Sequence, residues 1–145
     1  MLPAGLLPHL DGLSVEDVIA HDREVTLVVT AREPTAACPR CTLHSNRVHS
    51  RYERTLHDLP IGPSSLSLRV HVRRFRCPNR RCSQRIFAER FPRLGQVRAR
   101  RTHGQQAALE QVGLALGGVR WPKTGQEGEV PCQSLHDLAT GAGTG

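Results

Sequence analysis

Four cysteines arranged as two close pairs limit this chain's fold more than any other feature. Cys38 and Cys41 have two residues between them, Cys77 and Cys82 have four, and 35 residues separate the pairs. A structural zinc ion needs four soft donors in a tetrahedron about 2.3 Å from the metal, and two cysteines so spaced both reach one ion from a single tight loop. Pro39 and Pro78 each follow the first cysteine of their pair, where a fixed φ pre-sets the turn that aims backbone amides at sulfur. Buried free thiols, a redox pair or disulfide, and iron or an iron–sulfur cluster are competing uses of the same residues. No βαβ pattern surrounds Cys38-Pro39-Arg40-Cys41 to favour a thioredoxin-like role. The expectation is one structural Zn2+ held by Cys38, Cys41, Cys77 and Cys82, with no open coordination position for catalysis. His44, His49 and His71 are then strand or surface residues, because four thiolates close the shell, and Cys132 is incidental.

Composition makes the metal matter more. Only 3% of the residues are aromatic, and aromatic side chains carry much of the buried area in most cores. A small chain short of them needs another source of stability, and a metal supplies one. No run of about 18 apolar residues is present to span a membrane. The N-terminus has no basic start and its apolar patch is broken by Pro3 and Pro8, so no signal peptide is read and a cytoplasmic, thiol-preserving compartment is expected.

Between the pairs the pattern is β. Residues 47–56 alternate with Val48, Tyr52 and Leu56 on one face, and residues 58–63, with two prolines and a glycine, read as a turn. Residues 65–76 alternate again, with Leu66, Leu68, Val70 and Val72 pointing one way. A strand, a turn and a returning strand bring the second cysteine loop back beside the first. Residues 15–31 read as another hairpin broken at 21–24, and residues 85–88 as a short strand. Thr102 followed by Gln105 is a capping-box signature, and Ala108, Leu109, Val112, Ala115 and Leu116 fall at helical spacing before Gly117-Gly118. Residues 119–145 show no period and many glycines, and read as disordered. The fold class expected is small α+β: a zinc ribbon of antiparallel strands, one helix that begins a helix-turn-helix or packs on the ribbon, and a disordered tail. The divisions are a lead-in and hairpin at 1–33, the ribbon at 34–95, the helix at 96–118 and the tail at 119–145.

The net charge is +7, and residues 38–101 alone hold 16 arginines against three acids, a local surplus of 13. Charges spread for solubility are normally mixed in sign, and a compact basic module attracts polyanions. Arg47 and Arg51 on one strand and Arg69, Arg73, Arg74 and Arg76 on the next, with Arg80 and Arg81 in the second cysteine loop, are the candidate DNA contacts. Guanidinium matches phosphate oxygens two at a time. Phe75 reads as packing beside the metal, with base stacking as the alternative.

The strings C-P-R-C, R-V-H-S-R-Y-E-R-T-L-H-D-L-P, V-R-R-F-R-C, C-S-Q-R-I-F-A-E-R-F-P and A-R-R-T resemble the N-terminal zinc-finger region of ISL-three insertion-sequence transposases, over roughly residues 10 to 118. The resemblance implies that the cysteine pairs bind zinc and that the ribbon and helix-turn-helix recognise transposon ends. Family members continue into a catalytic domain whose acidic residues hold two divalent metals. Here the pattern stops near Gly118, and the resemblance reads as a truncated copy without that domain. The family usually has glycine after the second cysteine of the first pair. This chain has Thr42, at a position that often takes a positive φ and so implies strain. The expectation is a non-catalytic, zinc-binding, DNA-binding module able to associate with a full-length transposase. The rivals are a true transposase enzyme, a zinc ribbon that binds RNA or protein, and a decayed product without function.

Overall fold

The computed structural model describes residues 7–117. The segment expected to be disordered, 119–145, and Cys132 within it lie outside the described residues. Seven strands and one helix follow in chain order: β1 (Leu13–His21), β2 (Glu24–Ala31), β3 (Ala36–Ala37), β4 (His44–Ser45), β5 (Val48–Ile61), β6 (Ser64–Arg76), β7 (Ile86–Ala88) and α1 (His103–Ala115). The small α+β ribbon-and-helix class read from the sequence is the class observed.

The alternation of β6 decides the architecture. Leu66, Leu68, Val70 and Val72 are all buried on one face, each contributing about 1.5–3 kcal/mol relative to exposure. β5 pairs antiparallel with β6, matching Leu56 to Leu68 and Tyr52 to Val72. β2 lies along the other side of β6 in parallel register, with Leu27 beside Leu68 and Val29 beside Val70. β1 closes a hairpin onto β2. The sheet order is β1-β2-β6-β5, and β7 pairs with the last residues of β6. The N-terminal hairpin and the ribbon therefore share one sheet, a parallel contact that hydrophobic alternation does not reveal. Leu10 and Leu94 cover the apolar face and complete the main core.

Two details differ from the sequence reading. β5 does not stop at Leu56 but runs to Ile61, through most of the expected turn, with an irregular register between Asp58 and Ile61 that accommodates Pro60, and only Gly62 and Pro63 lie between the strands. Val48 does not share a face with Tyr52. A bulge between Val48 and Ser50 shifts the phase, so Val48 pairs with Phe75 and packs in a second cluster with Cys38, Cys82 and Phe87.

The helix starts where its cap requires. Thr102 is extended, and its hydroxyl accepts the Gln105 amide, satisfying one of the free N–H groups of the first turn. Gly117, at φ +80°, ends it in the left-handed conformation. No residue of α1 is buried. Its attachment is polar and lies at its N-terminus. Thr102 donates to the buried Asp58 carboxylate at 2.6 Å, and Gln105 Nε2 donates to the Asp58 carbonyl at 2.9 Å. His9 Nε2 contacts the other Asp58 oxygen at 2.6 Å. No described helix is long and apolar enough to cross a membrane.

Candidate metal centre

The first cysteine loop is carried by the β3–β4 hairpin, which pairs Ala36 with Ser45 and Ala37 with His44. Within it the Cys38 amide donates to Leu43 O and the Thr42 amide to Cys38 O, both at 2.9 Å. Thr42 takes φ +64°, the positive φ expected from the sequence for the residue after Cys41. The second loop leaves the end of β6. Cys77 N donates to Arg85 O at 2.9 Å, and Cys82 N to Asn79 O at 3.1 Å.

Ser45 joins the two loops. Its buried hydroxyl donates to Arg76 O at 2.6 Å and accepts the Arg47 amide at 3.2 Å, while Arg76 N donates to Arg47 O at 2.9 Å. These bonds hold the residue before Cys77 against the strand that follows Cys41. A serine between a loop and a strand carries no signal in the sequence for such a role.

The four sulfurs converge. Cys38 Sγ lies 3.9 Å from Cys82 Sγ and Cys41 Sγ lies 3.5 Å from Cys77 Sγ, and all four lie within 4.8 Å of one another. Four sulfurs in a tetrahedron about 2.3 Å from zinc stand about 3.8 Å apart, so the set fits one zinc ion. The separations far exceed the roughly 2 Å of a disulfide, and all four thiols are free. Phe75 and Phe87 stack beneath the cluster with centroids 5.9 Å apart, which places Phe75 in packing rather than on the surface.

The surroundings act on two of the thiols in opposite directions. Burial pushes the Cys38 thiol up, but the amides of Cys41 and Arg40 and the neighbouring Cys41 and Cys77 thiols outweigh it, bringing Cys38 down to about 7. Burial pushes Cys77 up to about 12, with the other three thiols reinforcing it against the Asn79 amide. Gln84 N donates to Cys82 Sγ at 3.4 Å. His44, His49 and His71 lie elsewhere. His71 bridges Glu16 at 3.1 Å and Glu53 at 3.3 Å.

The candidate DNA-contacting arginines are not gathered on one face. Arg69 and Arg73 project from the side of β6 opposite the main core, while Arg74 and Arg76 project from the core side. Arg51 stands across from Arg73, but Glu53 stands across from His71 and Thr55 from Arg69, so this open face mixes charges. Arg73 is engaged internally. Its guanidinium contacts the buried Glu89 carboxylate at 2.8 Å and Glu33 O at 2.6 Å, and lies over Phe75 at 5.1 Å. Arg47, Arg51, Arg74, Arg76, Arg80 and Arg81 are exposed, and Arg69 is half-buried.

Residues 34–82 match the zinc-finger of transposase IS204/IS1001/IS1096/IS1165. The match spans both cysteine loops and the two strands between them, about a third of the chain. No curated protein and no solved structure matches the chain.

Proposed function

We propose that this chain is a zinc-stabilised, DNA-binding module of the transposase zinc-finger type, acting by binding rather than by chemistry. The observation that carries the reading is the closed tetrathiolate centre at the end of a ribbon similar to that zinc finger. Four cysteine ligands leave the metal no open position, so its role is to fold the chain. What it folds is strongly basic, with 16 arginines against three acids between residues 38 and 101. Arg47, Arg76, Arg80 and Arg81 surround the metal end, and Arg51 and Arg69 extend the charge along the sheet. Phosphate contacts of this kind position a protein on DNA and carry little sequence information by themselves. The DNA it meets is the end of an insertion element.

Fluorescence anisotropy of the zinc-loaded chain with labelled duplexes tests this. Binding is expected to weaken steeply with salt, as counterion release requires, and to disappear when the zinc is chelated. Absence of duplex binding at low salt, with zinc bound and the fold intact, overturns the reading.

A further inference from the structure

A groove of about 840 Å³ runs along the core side of the sheet's metal end, between β5–β6 and the loop after β7. Its floor includes Tyr52 and Val72, and its walls include Arg74, Arg90 and Arg98. The one lining carboxylate, Glu89, is turned away and neutralised by Arg73. The groove is thus positive with an aromatic floor.

Two features show that it is built. The Arg74 guanidinium lies over the Tyr52 ring, 4.9 Å from its centroid, and the pair remains exposed, presenting a flat stacked surface. Arg98 has φ +65°, a conformation uncommon for a residue with a long side chain and one that costs energy wherever it persists. The turn is locked from both sides: Ala99 N donates to Gln96 O at 3.1 Å, and Arg54 donates to the carbonyls of Gln96 and Ala99. A glycine would take that φ freely. The chain instead holds an arginine there, on the rim of the groove.

We infer that the groove binds a single DNA strand, with one unstacked base against Tyr52 and Arg74 and the flanking phosphates on Arg90 and Arg98. Arginine and aromatic planes both stack on bases, and an aromatic platform in a basic groove is a sequence-tolerant way to hold an unpaired strand. The inference rests on the DNA-binding reading and adds a second surface, one that takes strand rather than duplex.

The test uses the zinc-loaded full chain, a labelled oligodeoxynucleotide of about ten nucleotides and a duplex of random sequence. Arg98→Gly removes the charge while relieving the backbone, so its zinc content and melting temperature are expected to hold. Single-strand affinity is expected to fall about tenfold, with the salt slope reduced by about 0.7. Tyr52→Leu is expected to cost a similar factor with no change in slope. Arg23→Ala removes the same charge at the β1–β2 turn and is expected to change single-strand affinity less than twofold. Duplex affinity is expected to stay within about twofold for Tyr52→Leu. If Arg98→Gly and Tyr52→Leu bind single strands like the parent while duplex binding stands, the groove assignment falls alone. If the parent binds neither DNA, the DNA-binding reading and the groove assignment fall together.

Discussion

Thr102 and Asp58 are 44 residues apart, and their side chains meet at 2.6 Å in a buried setting. One carboxylate thereby ties the ribbon to the helix cap, and through His9 to the N-terminal segment. Asp58→Ala would leave the Thr102 hydroxyl and the Leu59 amide without their acceptor. Unsatisfied buried groups cost about 1–3 kcal/mol each, so a loss of about 3 kcal/mol is expected in urea denaturation of the zinc-loaded protein. Thr102→Val would remove the cap as well as the bond, at about 2 kcal/mol. A double variant that loses the simple sum of the two would show that the residues act independently and refute the clamp.

Removing the metal tests the centre directly. Binding of structural zinc contributes about 10 kcal/mol or more to folding in comparable peptides. Cys77→Ser is expected to abolish stoichiometric zinc and the β-sheet circular dichroism together, and a strong chelator should do the same to the parent. A metal-free sample with an unchanged spectrum would remove zinc from the account of the fold.

Zinc uptake must also expel protons, because only thiolates ligate. In the metal-free, unfolded chain the cysteine thiols are mostly protonated at neutral pH, and they give up those protons when a cation binds. Adding zinc to a weakly buffered sample should therefore acidify it, and affinity should fall as pH is lowered, since acid returns protons to all four ligands. Zinc affinity independent of pH between about 6 and 8 would contradict a thiolate site.

The metal centre was legible because ligand spacing is local. Two loops of fixed geometry, prolines in place and a hairpin between them leave the chain few ways to arrange four sulfurs. The strands of the ribbon and the capped helix were legible for the same reason, from alternation and from Thr102. What escaped was long-range. β2 pairs with β6 in parallel across three intervening strands and the whole first cysteine loop, and no periodicity in either strand announces a partner. Asp58 looked like part of a turn because Pro60 and Gly62 follow it, and only tertiary packing reveals a buried hub. The arginines were easy to count but not to place. Local charge says nothing about Glu89, 16 residues beyond Arg73.

Arg73 is the case where counting and placing diverge most. Glu89 accepts its guanidinium and its backbone amide. Glu89→Leu would strand a largely buried cation, and breaking such a pair from one side costs about 3–5 kcal/mol. Replacing both, as Arg73→Met with Glu89→Leu, is expected to recover most of that loss. Thermal denaturation of the single and double variants decides the point. If the double variant is no more stable than Glu89→Leu alone, the pair is not the source of the cost.

Thr42 offers a test in the opposite direction, by stabilisation. It sits at φ +64° directly after Cys41, where a β-branched residue crowds its own backbone. The left-handed conformation costs an L-residue about 1–2 kcal/mol, a penalty glycine does not carry. Glycine costs more entropy on folding, about 0.5–1 kcal/mol, and Thr42→Gly also deletes the hydroxyl bond to Cys41 O at 2.6 Å. That bond is exposed and so contributes little against competition with water. The balance favours glycine by about 0.5 kcal/mol, read as a higher denaturation midpoint with zinc stoichiometry unchanged. Thr42→Ala keeps the strain and loses the hydroxyl, so it should fall below the parent. If Thr42→Gly also falls below the parent, the hydroxyl bond outweighs the strain, and threonine at this position supports the first cysteine loop rather than burdening it.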